Sequence, residues 1–475
     1  MLKNFYRKVG FGLSLEDEVP QDPLKWAFNQ LDQVPLFTWE GKIFSEKEMR
    51  EKFGEFIYAD RKILRKKYKN NNSRYKREKN KLRYKTGQKF FENNELTIRH
   101  NEAINGKAPV FERFWHFWGN HFAISEKDYL AEYSTGPYQR EIIRPNMVNT
   151  FEEMVKDVTT SWCMIQHLDN SESVGPLSRK GMKNRNTINE NHARELLELH
   201  TISPAAGYSQ KDVIQMTYVM TGWQHKWDPK RLESGDVWFN FEKHQPNEKT
   251  ILGKTYAAAS KRELYNVIKD LVHHPNCKRF IATKLCRHFI TDNPTEDMIN
   301  PVIQAWKKSD GFLPEIHKAV IQSSFNHTRT TKKFLKPETW SLQIARMFGL
   351  NWLPTSEQME YNFKTRPTDL QRKIYFRLEE LGHLPYRPQQ PNGWSDLQED
   401  WISPELLIRR LIFAKGIAFS MKRTEDHLQS VIEKNFDNHD KIMKRIKVQD
   451  EKIFGFNAFG NKFSIIANSP EMLKV

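Results

Sequence analysis

The sequence predicts a predominantly α-helical protein, and three observations carry that expectation. Apolar residues recur at helical spacing through most of the 475 residues. Only one stretch, Val237-Trp238-Phe239-Asn240-Phe241, has the composition of a strand. No fixed-period repeat and no clean linker divides the chain. The expected architecture is one large multi-helix domain over 1–475, with a short irregular or β-hairpin insert near 236–253.

Composition narrows the class. Hydrophobic content is 38% and mean hydropathy is -0.74, low values that 13 Trp, 31 Phe and 15 Tyr offset with bulky burial. No apolar run approaches the roughly 18 to 20 residues of a membrane span. The start, Met1-Leu2-Lys3-Asn4-Phe5-Tyr6-Arg7-Lys8, lacks the apolar segment of a secretory signal. The three cysteines, Cys163, Cys277 and Cys286, show no CxxC spacing. They suit a reducing compartment and argue against a thiolate zinc site or a disulfide framework, so the cytoplasm is the default location.

The net charge of +16 is uneven. Residues 61–89 hold fourteen Lys or Arg against one acid, Glu78, so most of the excess sits in one basic arm on a near-neutral protein. Within the arm, Lys66, Lys67, Arg74, Lys76, Arg77 and Arg83 are candidate phosphate contacts. Tyr68, Tyr75 and Tyr84 are interleaved for base stacking. A solvated pair of Lys-rich helices, broken at Asn70-Asn71-Asn72-Ser73, explains the same pattern without a partner.

In order, helices are expected over 23–33 and 46–56, then through the basic arm. Pro109 opens an aromatic helix through 122, on which Glu112, Arg113, His116 and Asn120 share one arc and His121 sits inside the apolar one. Short helices follow over 145–157 and 160–168, then a polar loop over 171–188. Ser209 starts another helix, and after the insert helices are expected over 260–273, 275–290, 295–308, 312–325, 334–349, 369–382, 403–421 and 424–447. Residues 424–475 form a C-terminal helical extension.

The densest group of titratable side chains lies between the polar loop and Pro204. In 189–201 (Asn-Glu-Asn-His-Ala-Arg-Glu-Leu-Leu-Glu-Leu-His-Thr), Ala193, Leu196, Leu197 and Leu199 share one helical face. Glu190, Asn191, Arg194, Glu195 and Glu198 form the other. Thr187 and Glu190 fit a capping box, and His200 lies within the apolar face, as His121 does on its helix. Two such histidines are placed to meet in the core. The polar face admits three readings: a solvated salt-bridge ladder, a buried structural network, or a site.

Taken together these motifs resemble the large bacterial family catalogued as domain of unknown function 1800. The resemblance rests on Asn189-Glu190-Asn191-His192-Ala193-Arg194-Glu195-Leu196 and on Tyr208-Ser209-Gln210-Lys211-Asp212-Val213. It is extended by Thr221-Gly222-Trp223, Trp118-Gly119-Asn120-His121-Phe122, Leu168-Asp169-Asn170, Phe280-Ile281-Ala282-Thr283-Lys284-Leu285 and Pro391-Asn392-Gly393-Trp394. Arg7-Lys8-Val9-Gly10-Phe11-Gly12 and Ser469-Pro470-Glu471 match near the ends. Ile202-Ser203 replaces the family's usual Leu-Gly, Gln245 replaces Asp after the insert's His, and the basic arm is more extreme. The resemblance implies no settled activity. It does imply a sulfatase-like uncharacterised partner protein bearing an export signal, and with it the alternative of export.

Three function classes follow. The first is a helical protein whose polar centre on 189–200 binds a ligand or metal. If it turns over a substrate, Glu195 and Glu198 are candidates for acid–base work and Arg194 for holding an anion. Ligand-binding candidates are Asn191, Arg194, Asn120, Trp223 and Trp394. For a divalent metal (iron, manganese or zinc) they are His121, Glu195, Glu198 and His244, although Glu198-Leu199-His200 does not reproduce Glu-x-x-His spacing and HExxH is absent. The second class is a structural or assembly protein acting with a partner, and the third binds nucleic acid or an anionic surface through 61–89. There is no Walker loop, GxGxxG or GxSxG, and whether the chain is an enzyme stays open.

Overall fold

A computed structural model describes residues 3–85, 88–125, 129–185, 187–225, 236–350, 353–359, 378–418, 425–450 and 458–475. The chain is predominantly helical with two small antiparallel ribbons. Helices α1 (Lys3–Val9) and α2 (Pro23–Phe28) lead in, the second capped by Asp22, which accepts from Leu24 N and Lys25 N. A Ser45/Glu48 capping box starts α3 (Glu46–Gly54), which runs through the π-helical Glu55–Asp60 into α4 (Arg61–Lys67). The basic arm breaks at 68–71, two residues ahead of the expected 70–73, before α5 (Asn72–Lys85). Then come α6 (Gln88–Asn105), α7 (Pro109–His121) and α8 (Tyr129–Tyr138).

The helix expected over 145–157 is interrupted. Arg144–Asn146 (α9) ends, and α10 (Phe151–Thr159) restarts behind a Thr150/Glu153 capping box. Helix α11 (Trp162–His167) follows a Ser161 cap. The polar loop over 171–188 itself holds a short helix, α12 (Arg179–Asn184), capped by Ser178.

The helix expected from 189 begins at Asn191 as α13 (Asn191–Glu195) and widens to a π-helix over Leu196–His200. Thr187 lies outside it, and Glu190 takes the N-cap position without a side-chain cap bond. The expected capping box is replaced by Asn189, whose side chain accepts from Asn191 N while its own N–H donates to Ser173. The wide turn closes when Ile202 N and Ser203 N both donate to Leu197 O, and Thr201 Oγ1 donates to Leu196 O. Helix α14 (Gln210–Met220) starts on Ser209 with Asp212 completing a capping box.

The insert is larger than 236–253. Strand β1 (Trp223–His225) pairs with β2 (Val237–Phe239), and β3 (Lys249–Ile251) with β4 (Lys254–Tyr256). Leu252 and Gly253 between the last two have φ of 49° and 77°, the two positive values of a two-residue type I′ hairpin. Buried Glu263 pins the insert to the next helix, accepting from Lys249 Nζ at 3.0 Å and facing His244 Nε2 at 3.1 Å.

Four helices follow much as the periodicity predicts: α15 (Lys261–His273), α16 (Pro275–Phe289), α17 (Glu296–Lys308) and α18 (Leu313–His327). Then come α19 (Pro337–Phe348) and α20 (Pro404–Ala418). Of the helix expected over 369–382, residues 369–377 lie outside the described residues. The stretch 424–447 is two helices, α21 (Glu425–Asn435) and α22 (His439–Asp450), followed by α23 (Ala458–Ala467) and α24 (Pro470–Leu473).

Two helices organise the interior. Every residue of α7 except Asn120 is buried, as is every residue of α19. Helix α7 belongs to a core built with α10 and α14 to α18, whereas α19 anchors a second with α20 to α24. A small third cluster lies between them, pairing Phe11, Leu96, Ala103 and Ile104 with Leu342 and Ala345. A helix buried all round is normally apolar all round. These two are not. Glu112, Arg113 and His116 on α7, and Glu338, Gln343 and Arg346 on α19, are all inside and each needs partners.

Candidate functional site

The polar face of 189–200 lies at the surface. Asn191 is exposed, and Arg194 and Glu190 keep 40% and 30% of their side-chain surface. Arg194 bonds Glu190 at 3.0 Å and Gln210 at 2.9 Å, and Glu198 accepts from Tyr208 at 3.2 Å. Glu195 is half-buried. This arrangement matches the solvated-ladder reading, in which such pairs contribute roughly 0.3–0.5 kcal/mol each. Trp223 is buried against Phe239 and Tyr265.

His121 and His200 do meet in the core, with ring centroids 6.4 Å apart. His121 faces the His200 carbonyl through Nε2 at 3.3 Å, so Nδ1 is free to accept from Lys284 Nζ at 3.0 Å. His244 has both ring nitrogens engaged, at Thr221 O (2.7 Å) and Glu263. Among the described residues no three of His, Cys, Asp and Glu are grouped to hold a metal ion.

Asn120 and Trp394, singled out separately in the sequence, are brought together. Asn120 Nδ2 donates to Trp394 O at 2.9 Å, and the Trp394 N–H returns to Asn120 Oδ1 at 2.8 Å. The approach is so close that a Cβ on Gly393 (φ +77°) would come within 2.3 Å of Asn120 O, which fixes glycine there. The indole N–H of Trp394 donates to Leu384 O, and its ring lies against His383 and Trp401. This clasp closes one side of a small polar cavity, about 10 Å³ measured as the space open to the centre of a water-sized sphere.

One buried carboxylate, Glu338, lines the cavity, and a second, the largely buried Asp396, holds two of the lining residues. Glu338, in the first turn of α19, receives Arg99 of α6 through both oxygens (Nε at 3.0 Å, Nη2 at 3.3 Å) and faces His100 Nε2 at 3.2 Å. Its backbone N–H donates to His383 Nδ1 at 3.2 Å, and His116 Nδ1 stands 3.9 Å from its carboxylate. Arg99 also donates to Gln139, which packs so closely on α7 that a Cβ on Gly119 would lie 2.4 Å from its amide oxygen. Asp396, beyond the clasp, takes His288 Nδ1 of α16 and Lys336 Nζ, both at 2.9 Å.

Charge decides what the cavity can hold. Burial alone would raise Glu338, but the Arg99 guanidinium, with the His100 hydrogen bond, overrides it and holds the carboxyl well below its usual range. Asp396 is likewise held down against its burial, by Lys336 and His288. His116 is driven far below 6.5 and His288 and His383 to about 3, in each case chiefly by burial, so all three rings are neutral. Arg113 reaches only the Thr339 hydroxyl (2.7 Å), and Lys284 only His121. Neither has a carboxylate among the described residues in ion-pair reach. Arg99 and Lys336 line the cavity against Glu338, with Asp396 paired to Lys336, while Arg113 and Lys284 outside the lining add two cations without an ion pair among the described residues. Both nitrogens of His116 and Nε2 of His288 are buried with no hydrogen-bond partner among the described residues, a state that costs roughly 1–3 kcal/mol per group unless a guest satisfies it.

Sequence reasoning found Asn120 and Trp394 and placed Arg113 and His116 on one arc of α7. It missed Arg99, His288, Lys336, Glu338, His383 and Asp396. The local signal available was weak: His288 sits on an otherwise apolar helix face, and Pro337-Glu338 reads as an ordinary helix start.

The chain matches, over residues 4–472, the family described as Protein of unknown function (DUF1800), and it belongs to that family. It matches no curated protein and no solved structure.

Seven buried histidines (His116, His121, His192, His200, His288, His317 and His383) have pKa values depressed from 6.5, each chiefly by burial. A depressed histidine stays neutral in the native chain while the unfolded chain protonates, so stability falls as pH drops below 6.5. Each site contributes a loss of about 1.4 kcal/mol per pH unit. Urea unfolding followed between pH 7.5 and 4.5 is expected to show stability collapsing from about pH 6. A profile flat down to the carboxylate range would contradict neutral imidazoles in the core.

Proposed function

We propose that this DUF1800 chain binds a small anion, or the anionic group of a small ligand, in the cavity between Arg99, His116, His288 and the Asn120–Trp394 clasp. The observation that carries the reading is the surplus of buried positive charge beside unpartnered imidazole nitrogens. In a desolvated interior an uncompensated cation is costly, and an anionic guest relieves both deficits at once. This relocates the ligand-binding reading from the polar face of 189–200, which contributes no cavity-lining residue, to the residues around Asn120 and Trp394. Thermal unfolding in formate, compared with a bulky sulfonate at equal ionic strength, is expected to rise with formate concentration. Lys336→Met is expected to weaken the apparent affinity about tenfold, or ~1.4 kcal/mol. Equal midpoints in the two salts would rule the anion site out.

A second reading rests on the basic arm. Lys66, Lys67, Arg74, Lys76 and Arg77 are exposed, Arg83 is half-buried, and Glu78 is engaged by Lys81 and Arg77. Tyr68 is covered by Lys67 and Arg74, which favours backbone phosphate contacts over base stacking. We propose that α4 and α5 dock a polyanion. An acidic face on the sulfatase-like partner implied by the family resemblance would meet the same cations. Log affinity for a duplex oligonucleotide should fall linearly with log salt, and salt-independent binding would argue against it.

A further inference from the structure

At the cavity wall, both nitrogens of His116 and Nε2 of His288 are buried with no hydrogen-bond partner among the described residues, and the chemistry there constrains how a guest enters. His288 Nδ1 lies 2.9 Å from Asp396 Oδ1. A carboxylate only accepts, so Nδ1 carries the proton. In the neutral ring Nε2 is then a bare lone pair, and it lines the cavity without a partner. A lone pair repels an anion, and a cavity with room for one small guest leaves no place to avoid it. Glu338 on the opposite wall is itself negative and saturated by Arg99 and His100.

Resting on the anion reading above, we infer that the site takes up its anion together with one proton, which resides on His288 Nε2 while the anion is bound. His288 then donates twice, through Nδ1 to Asp396 and through Nε2 to the guest. Equivalently, the guest arrives as a neutral weak acid, whose donor and acceptor oxygens match the His288 lone pair and His116. The proton balance is the same: apo site plus anion plus one proton from solvent gives the filled site. The ligand class implied is a small weak acid of the carboxylic type. Asp396 is the positioning residue, holding the ring with Nε2 inward.

The groups facing His288 fix the pH window for a test. Arg113 on α7 and Lys336 ahead of α19 act on it directly, Lys284 and Arg287 share its helix, and Lys333 acts on its partner Asp396. Asp396 and Asp292 supply the negative charge beside them. The nearby group titrating closest to neutrality from above is Lys284, lowered to about 8 by burial, so the window lies between pH 6.5 and 7.5.

Formate affinity measured across that window on the full chain is expected to weaken tenfold per pH unit. Calorimetric titration at pH 7 in two buffers of different ionisation enthalpy is expected to report close to one proton taken up per formate. In His288→Gln the side-chain amide donates without titrating, so the pH dependence should vanish. The two-buffer measurement on the natural chain decides the matter even where that variant fails to fold. Formate binding with no proton uptake would overturn proton coupling and leave the anion site standing, whereas absence of formate binding would overturn both.

Discussion

The constraint on which the rest of the structure depends is the buried carboxylate of Glu338. It sits in the first turn of a helix with no exposed residue, and its charge is met by Arg99 and His100 from a helix more than two hundred residues earlier. Removing one member of such a pair leaves the other charged and desolvated, at a cost of roughly 3–5 kcal/mol. Helices α6, α7 and α19 are therefore held in one mutual arrangement by polar geometry as well as by apolar packing. The same helix start brings Lys336 to Asp396, and with it the loop whose Trp394 is clasped by Asn120. A core of Leu, Phe and Trp side chains would tolerate small shifts. A bidentate Arg–Glu contact specifies direction as well as distance.

Much of the fold was legible in the sequence because it rests on local chemistry. Ser, Thr and Asp caps, Pro at the first helical position, and helical spacing located most elements to within a few residues. The misses have local causes too. Thr187 and Glu190 have the right spacing for a capping box, yet Asn189 and Ser173 set the entry instead. The π-turn at 196–200 depends on where the Thr201–Ser203 backbone returns, which no spacing rule encodes. The Val237–Phe239 strand was visible, whereas its partner at Trp223–His225 lay outside the expected insert.

The candidate site was legible only in fragments. The arc of Glu112, Arg113, His116 and Asn120 on α7 looks like a solvent-facing stripe, and periodicity alone reads it so. Except for Asn120 it is buried: Glu112 pairs with Arg144 of α9, Arg113 donates to Thr339 of α19, and His116 has no hydrogen-bond partner among the described residues. Conversely, 189–200 draws the eye by its density of titratable groups and turns out half-exposed. Density along the chain and density in space are different quantities, and only the second governs desolvation. The two positive features of the molecule divide the same way. Charge on α4 and α5 is exposed and screened within roughly 8 Å at physiological salt, so it favours extended polyanions. The surplus at Arg113 and Lys284 is wholly or partly buried and so less screened, which favours a small guest.

The central claim, a cavity that selects a small anion through unpaired buried charge, is tested most directly by anomalous diffraction from crystals equilibrated with bromide, a spherical anion somewhat larger than water. The account predicts an ordered bromide between His116, His288 and Lys336, with the Asn120–Trp394 clasp intact. An ordered water there beside bromide bound elsewhere, or a cavity that stays empty at high bromide, would contradict it.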